Sequence, residues 1–244
     1  ALGYSVSGTS IPYLAKESRT STLLGKVDSV MPSEASQALR AFNKVLDANL
    51  FPRYIDPFAD EKIVKVGPPS DRVIRDPEVR TAAQSVVKVL GVARCDRGIE
   101  GSGFVYAPGR VMTNAHVVAG VGAPTVTVAG RRLDARVVLF DPKLDIAVLA
   151  VDGLDRTPLT FDTDGGAGDD AAILGFPENG PFDARAARIR DRITLRSPDI
   201  YDRGQVLRQT FAVRGLVRSG NSGGPLVSRD GKVLGVIFAA SVTD

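Results

Sequence analysis

Apolar and polar residues follow two different spacings along this chain, and the change falls after about residue 75. Before it, apolar residues recur with the 3.6-residue period of a helix between Ser33 and Leu50, and Ser33 suits the N-cap position. A second, short helix is predicted to begin at Asp76-Pro77-Glu78, with the Asp as its cap and the Pro in its first turn. The proline-rich stretch 51–70 predicts an extended arm between the two helices.

From residue 86 onward, short apolar runs are separated by Gly, Pro and Asp, which is typical of strands joined by tight turns. Six strands are predicted at 86–93, 102–106, 110–113, 124–129, 132–139 and 145–151, and five more at 170–176, 184–196, 205–213, 225–228 and 233–240. A polar segment separates the two series. The pattern favours an all-β fold of two small barrels side by side, the second of which lacks its last strand.

These elements divide the chain into four predicted parts. They are an N-terminal arm with the amphipathic helix at 1–75, a first β-barrel at 76–151, an interbarrel linker at 152–168 and a truncated second β-barrel at 169–244. The missing sixth strand is expected beyond Asp244. No apolar run approaches the ~20 residues of a membrane-spanning helix, and the first residues lack the pattern of a signal peptide.

Composition narrows the class of protein without choosing a function. Hydrophobic residues make up 43% of the 244 residues and charged residues 24%, which are proportions of an ordinary globular protein. The net charge of +3 comes from 31 basic and 28 acidic residues mixed along the chain. No basic run is dense enough to follow a phosphate backbone, so nucleic-acid binding is disfavoured.

The segment Gly-Asn-Ser-Gly-Gly-Pro at 220–225 carries the strongest chemical signal. A serine hydroxyl is a poor nucleophile unless it is exposed on a tight turn beside a base. The glycines around it let the backbone turn sharply and present amide groups to a developing oxyanion. Ser222 is therefore a candidate nucleophile, although a Gly-rich surface turn between strands has the same composition.

His116, within Thr-Asn-Ala-His-Val-Val at 113–118, is the only histidine of the chain. A lone histidine is most often structural, but a serine nucleophile needs a base that titrates near neutral pH.

Asp145 begins an apolar run, where a carboxylate is costly to bury without a partner. Pairing with His116 would supply that partner and fix the histidine tautomer. Asp141 is the competing acid, in a proline-containing turn where a solvated cap is the expected role.

The order of these residues along the chain separates two folds. The nucleophile elbow of lipases and esterases requires the serine before the acid and the histidine, whereas here it comes last. The order His, Asp, Ser is that of the chymotrypsin-like proteases, whose two β-barrels agree with the predicted strands. The segments 101–104, 113–118, 144–149 and 220–225 closely resemble the HtrA-like branch of these trypsin-type proteases, and the resemblance covers about residues 80–244.

This resemblance implies roles for further residues. It places an oxyanion hole at the backbone N–H groups of Gly220 and Ser222. Digestive members of the class carry Asp before the nucleophile, to pair with a newly cut N-terminus. Here Asn221 stands at that position, and activation by such an ion pair is not expected.

The resemblance also implies where a substrate binds. A peptide would add as an extra strand at Phe238, Ala239 and Ala240, and Leu216 is a candidate for the floor of an apolar pocket. The expected partners are protein or peptide substrates. The chemistry needs neither a metal nor a cofactor.

The N-terminal arm carries a second resemblance. Thr-Ser-Ile-Pro-Tyr-Leu at 9–14 is similar to the end of a membrane anchor of the colicin V production type. An anchor of that type joined to an HtrA-like domain resembles the membrane-anchored proteases of mycobacterial envelopes. It implies an extracytoplasmic location, with membrane contact only through a segment upstream of this chain.

Cys95 is the only cysteine of the chain. It could be a buried free thiol, the usual state of a single cysteine. Its charged neighbours instead favour a strand end near the surface, where a free thiol outside the cytoplasm would be a liability. The resulting hypothesis is a disulfide between Cys95 and a cysteine beyond Asp244, which would tie the two barrels together.

The sequence thus favours a serine endopeptidase that works through an acyl-enzyme, with a triad of Ser222, His116 and Asp145. The main alternative is a protease-like scaffold or chaperone whose site is misaligned and inactive. An esterase on the same fold is a third possibility.

Overall fold

The computed structural model describes residues 2–3, 64–93, 97–162 and 164–238. Its helices are α1 (Pro77–Ala83) and α2 (Ala115–Val118), and single 3₁₀ turns lie at Val73–Arg75 and Pro177–Asn179. The strands are β1 (Leu2–Gly3), β2 (Val86–Ala93), β3 (Arg97–Ala107), β4 (Arg110–Thr113), β5 (Thr125–Val128), β6 (Arg131–Asp141), β7 (Ile146–Val151), β8 (Asp170–Gly175), β9 (Asp183–Pro198), β10 (Gln205–Gly215), β11 (Pro225–Ser228) and β12 (Val233–Val236).

Strands β2 to β7 close into an antiparallel barrel in the order β2-β3-β4-β7-β6-β5. Its interior is filled mainly by β-branched and aliphatic side chains such as Val87, Val111 and Leu149, each 0% exposed, because these residues pack well on a pleated surface. The register of β4 with β7 pairs Thr113 with Ala147. This pairing brings the residues that follow β4 beside those that precede β7, where the candidate base and acid lie.

Strands β8 to β12 form the second sheet, in the order β10-β9-β8-β11-β12. Strand β1, from the start of the chain, adds to its edge through pairs of Leu2 with Arg214 and Gly3 with Val213. The predicted all-β fold of two units is confirmed, and all eleven predicted strands are present. In the described residues the first unit is a closed barrel and the second an open sheet. The edge strand contributed by β1 was not predicted.

An apolar cluster joins the two units. Phe104 of the barrel, Leu174 and Val227 of the second sheet, and Val79 of α1 are all buried within it. The helix α1 was predicted, but its predicted side-chain cap is wrong. Asp76 occupies the N-cap position without a side-chain capping bond, and its carboxylate instead pairs with Arg229 across 3.0 Å. The ion pair attaches the start of the helix to the second sheet.

The part of the predicted arm that is described lies against the second sheet. Arg190 Nη1 donates to the carbonyl of Val64 at 3.0 Å, and Arg214 Nη1 donates to that of Val66 at 2.7 Å. The predicted helix at 33–50 and most of the extended arm fall outside the described residues, as do Cys95, Ala239 and Ala240. None of the described helices is long and apolar enough to cross a bilayer.

Candidate active site

His116 and Asp145 meet where α2 follows β4 and where β7 begins. His116 Nδ1 lies 2.7 Å from Asp145 Oδ2, and the backbone N–H of His116 donates to Oδ1 of the same carboxylate at 2.9 Å. The Asp145 side chain is fully buried and that of His116 is 15% exposed. Both carboxylate oxygens therefore face the histidine. This arrangement holds the proton on Nδ1 and leaves Nε2 as an acceptor.

A tight turn presents Asp145 to the histidine. Asp145 itself has φ +59°, a left-handed conformation that non-glycine residues adopt rarely. The carboxylate of Asp141 accepts from the N–H groups of Lys143 and Leu144 at 2.8 and 2.9 Å, and Asn114 Nδ2 donates to the carbonyl of Asp145 at 2.8 Å. The structure thus places the competing Asp141 in a turn-capping role and Asp145 beside His116.

The second sheet holds this turn from outside. The guanidinium of Arg208, which is 4% exposed, donates to the carbonyls of Lys143 and Pro198 and to Ser197 Oγ. The N–H of Ile200 donates to the carbonyl of Pro142 at 3.1 Å. Sequence reasoning missed Arg208, because a lone arginine in a strand carries no motif.

Ser222 lies in a turn between two glycines with positive φ, Gly220 at +86° and Gly223 at +83°. A Cβ at Gly223 would collide with the carbonyl oxygen of Ser102 and with Oγ1 of Thr113, so only glycine lets the serine turn approach the strands β3 and β4 that lead to His116. Within the described residues, Ser222 Oγ makes no hydrogen bond with His116. In unliganded enzymes this contact is often long and shortens when substrate binds.

The peptide bond before Gly220 has a defined orientation. The carbonyl of Ser219 accepts from the N–H of Glu178 at 2.8 Å. In a planar trans peptide the N–H points opposite to the carbonyl, so that of Gly220 is directed away from Glu178. Among the described backbone groups, neither the Gly220 nor the Ser222 N–H has a carbonyl partner. Two unused donors therefore flank the serine, as an oxyanion hole requires.

Ser102 of β3 fixes this turn and was missed as a functional residue. Its side chain is fully buried, Oγ donates to the carbonyl of Gly220 at 2.6 Å, and Oγ accepts from the N–H of Phe176 at 2.9 Å. Its backbone N–H donates to the carbonyl of Ser222 at 2.8 Å. The motif at 101–104 marked this strand, but the sequence alone gave no reason to link the hydroxyl to a turn 118 residues away.

The remaining sequence candidates lie around the same turn. Asn221 is 2% exposed, and its Nδ2 has no hydrogen-bond partner among the described residues. Phe238 packs against the barrel core and against Ala212 of β10, whereas Leu216 is 47% exposed.

No cluster of three His, Cys, Asp or Glu residues suited to a metal is present in the described part of the chain. Asp199, in the turn that follows β9, is a carboxyl whose pKa lies below its ordinary value. The N–H group of Arg203 lowers the pKa of Asp199, with a smaller lowering from that of Tyr201. This turn carries Ile200, the residue that contacts the turn before Asp145.

The fold and the geometry around His116, Asp145 and Ser222 are those of a chymotrypsin-like protease domain. The trypsin-like peptidase domain family matches residues 101–236, more than half of the chain, and the chain belongs to this family. It is 39% identical over 236 residues to the serine protease Rv3671c of Mycobacterium tuberculosis, which covers 96% of this chain and 59% of that protein. The chain therefore spans well under two thirds of the length of this curated relative.

Two further similarities agree with this family. The crystal structure of Rv3671c protease in its active form superposes with a TM-score of 0.74 at 42% identity, covering 78% of this chain and 85% of that one. A probable periplasmic DegP-like serine endoprotease of Chlamydia pneumoniae is 34% identical over 148 residues, covering 57% of this chain and 28% of that protein. The predicted resemblance to HtrA-like proteases is confirmed.

Proposed function

We propose that this protein is a serine endopeptidase in which Ser222 is the nucleophile, His116 the general base and Asp145 the acid that orients it. The observation that carries the proposal is the doubly bonded His116–Asp145 pair beside a serine turn that packs against the segment before His116 and in which the N–H groups of Gly220 and Ser222 have no carbonyl partner among the described residues. These groups complement one another in the reaction. His116 activates the Ser222 hydroxyl, and the two backbone N–H groups stabilise the negative charge that forms on the substrate oxygen.

The geometry supports the following reaction. Ser222 Oγ attacks the carbonyl carbon of a peptide bond while its proton passes to His116 Nε2, and the carbonyl electron pair moves onto oxygen. The N–H groups of Gly220 and Ser222 stabilise that oxyanion, and Asp145 stabilises the imidazolium. Collapse breaks the C–N bond, and the amine leaves with the proton from Nε2. Water then attacks the acyl-enzyme by the same route, releasing the acid and restoring the serine.

The proposed substrates are proteins bound as an added strand along the segment that begins at Phe238. This segment follows β12, and Phe238 lies between the barrel and the second sheet. Ala239 and Ala240 would continue the strand, and Leu216 would contact the side chain at the cleaved position. The small side chains favour medium-sized apolar or polar residues there.

The proposed location is extracytoplasmic, since the DegP-like relative from Chlamydia pneumoniae is a probable periplasmic endoprotease. Tethering through an anchor upstream of this chain remains part of the proposal, and it rests on the resemblance of residues 9–14. The disulfide between Cys95 and a cysteine beyond Asp244 is likewise proposed for the longer protein. It would stabilise by roughly 4–5 kcal/mol in the chain-entropy model, because it closes a long loop.

Reaction with a fluorophosphonate probe, followed by cleavage of casein, tests the proposal. The wild-type chain should be labelled on Ser222 and cut casein, and Ser222→Ala should lose both, with a rate loss on the order of 10⁴ or more. An unlabelled, folded wild-type chain that suppresses aggregation of a client protein would support the scaffold or chaperone instead. Ester turnover without peptide turnover would support the esterase.

A further inference from the structure

The 3₁₀ turn Pro177–Asn179 lies directly behind the proposed oxyanion hole. A Cβ at Gly220 would come within 2.5 Å of the carbonyl oxygen of Phe176 and 2.9 Å of the nitrogen of Glu178. The same Glu178 N–H holds the carbonyl of Ser219 at 2.8 Å. The direction of the Gly220 N–H therefore depends on the position of this turn.

The turn has a backbone conformation that needs external support. Glu178 and Asn179 are consecutive non-glycine residues with φ of +55° and +51°, in the sparsely populated left-handed region. Such residues persist only where the surrounding structure fixes them, and they are concentrated at functional sites. The bond within the turn, from the Gly180 N–H to the carbonyl of Pro177 at 2.8 Å, closes it but does not attach it to the barrel.

Lys88 provides an attachment to the barrel. It lies on β2, and its Nζ donates to the backbone carbonyl of Asn179 at 2.9 Å and to Oδ1 of the same residue at 3.1 Å. The ammonium also lies 5.6 Å from the centre of the Phe176 ring, within cation–π range. The Lys88 side chain thus binds both the backbone and the side chain of Asn179, which has a left-handed conformation.

The position of Lys88 in the barrel connects it with the other support of the serine turn. Its partner on β3 is Ser102, whose hydroxyl bonds the N–H of Phe176 and the carbonyl of Gly220. Adjacent residues of two barrel strands therefore hold the first and last residues of the segment 176–179. The barrel that carries His116 and Asp145 also aligns the proposed oxyanion hole of the second sheet.

We infer that Lys88 is a positioning residue for the oxyanion hole, an inference that rests on the proposed peptidase function. In this role Lys88 acts on the oxyanion hole through the turn at Pro177–Asn179 and not by direct contact with the reacting atoms. It keeps Asn179 in its left-handed conformation, so that the Glu178 N–H stays on the Ser219 carbonyl and the Gly220 N–H stays directed at the oxyanion. Without it, the turn can relax and the Ser219–Gly220 peptide can rotate.

Lys88→Met tests the inference, because it retains the length of the side chain and removes the donor. With a fluorogenic peptide taken from a casein cleavage site, kcat should fall about 10- to 100-fold while KM changes less than about 3-fold, since an oxyanion donor acts in the transition state. The affinity for a peptide boronic acid, which places an oxygen in the hole, should fall in parallel with kcat. Binding of the cleaved product peptide should not change. Lys88→Arg should recover part of the loss.

Lys232→Met is the matched control, since Lys232 is exposed in the β11–β12 connection and should keep wild-type kcat. Asn179→Ala provides a second variant if Lys88→Met does not fold, and it should show a smaller loss confined to kcat. The two changes together should cost less than the sum of their separate effects, because both remove the bond from Lys88 Nζ to Asn179 Oδ1. An unchanged kcat, or equal losses in kcat and product binding, overturns the role of Lys88. A wild-type chain that fails to react with the fluorophosphonate overturns the peptidase proposal instead.

Discussion

The two halves of the site are held by contacts of very different range. His116 and Asp145 are 29 residues apart in sequence and lie at the ends of two neighbouring strands of one closed barrel. The serine turn is held instead by Ser102, 118 residues from Gly220, and by the turn at Pro177–Asn179. The His116–Asp145 pair therefore forms between two strands of one unit, and the second sheet contacts it through the turn before Asp145. Ser222 and the neighbouring N–H groups depend directly on the contact between both units.

The two halves of the site should lose activity in different ways. Changes within the barrel should act on the protonation chemistry of His116, and changes at the contact between the units should act on the oxyanion hole. A misaligned, inactive state, the main alternative from the sequence, would arise most directly at the second half. Variants in each half should therefore affect different steps of the reaction.

Asp145→Asn should cause the largest loss, because the asparagine cannot hold the His116 tautomer or stabilise its charged form. We expect kcat to fall on the order of 10⁴-fold near neutral pH, with little change in KM. Asp141→Asn is the control, since its side-chain oxygen can still accept from the N–H groups of Lys143 and Leu144. A greater loss for the Asp141 variant than for the Asp145 variant would exchange the two assignments.

Ser102→Ala should affect the nucleophile half alone. It leaves the carbonyl of Gly220 and the N–H of Phe176 without their hydroxyl partner, so we expect kcat to fall about 10- to 100-fold and stability to fall by about 1–3 kcal/mol. Ser85→Ala is a matched control, because Ser85, just before β2, is also buried and donates to the carbonyl of Thr157, away from the serine turn.

Steady-state kinetics and thermal unfolding measure both serine variants. Ser85→Ala should lose stability and retain kcat, and the difference between the two isolates the effect on the oxyanion hole. Equal kcat values for the two variants would show that Ser102 only stabilises the fold.

The same contrast explains what the sequence could predict. The strands and the three motifs were readable because each depends on local pattern, such as the glycines on either side of Ser222 or the apolar run after Asp145. Ser102 and Arg208 act through contacts between segments that are distant in sequence. Neither the residue type nor the local spacing predicts such a contact. The left-handed conformation of Glu178 was equally hidden, because its local sequence does not demand it.

Asn221→Asp probes the burial of the serine turn. The side chain is 2% exposed, so a carboxylate placed there would be buried without the N-terminal partner that digestive proteases supply. An uncompensated buried charge costs about 3–5 kcal/mol, which corresponds to a fall in Tm of roughly 6–20 °C for a chain of this size. Differential scanning calorimetry should show this loss, and Asn221→Ala, which adds no charge, should lose less. A Tm equal to that of the wild type would mean that the site already supplies a cation or admits water.

Asp199→Asn should have the smallest effect, and it is the most sensitive to pH. The N–H groups of Arg203 and Tyr201 lower the pKa of Asp199, so its carboxylate stabilises the fold above the ordinary carboxyl pKa of about 3.9. That contribution disappears as the pH falls through the lower pKa of the folded state. The variant should therefore have a Tm at most about 2–4 °C below the wild type at pH 7, and the difference should shrink below about pH 4.

Thermal unfolding at a series of pH values measures this difference in Tm. A difference that grows on acidification would contradict a lowered pKa for Asp199. Because the Asp199 turn carries Ile200, which contacts the turn before Asp145, a fall in kcat that accompanies the Tm loss would show that this contact also aligns the proposed base and acid.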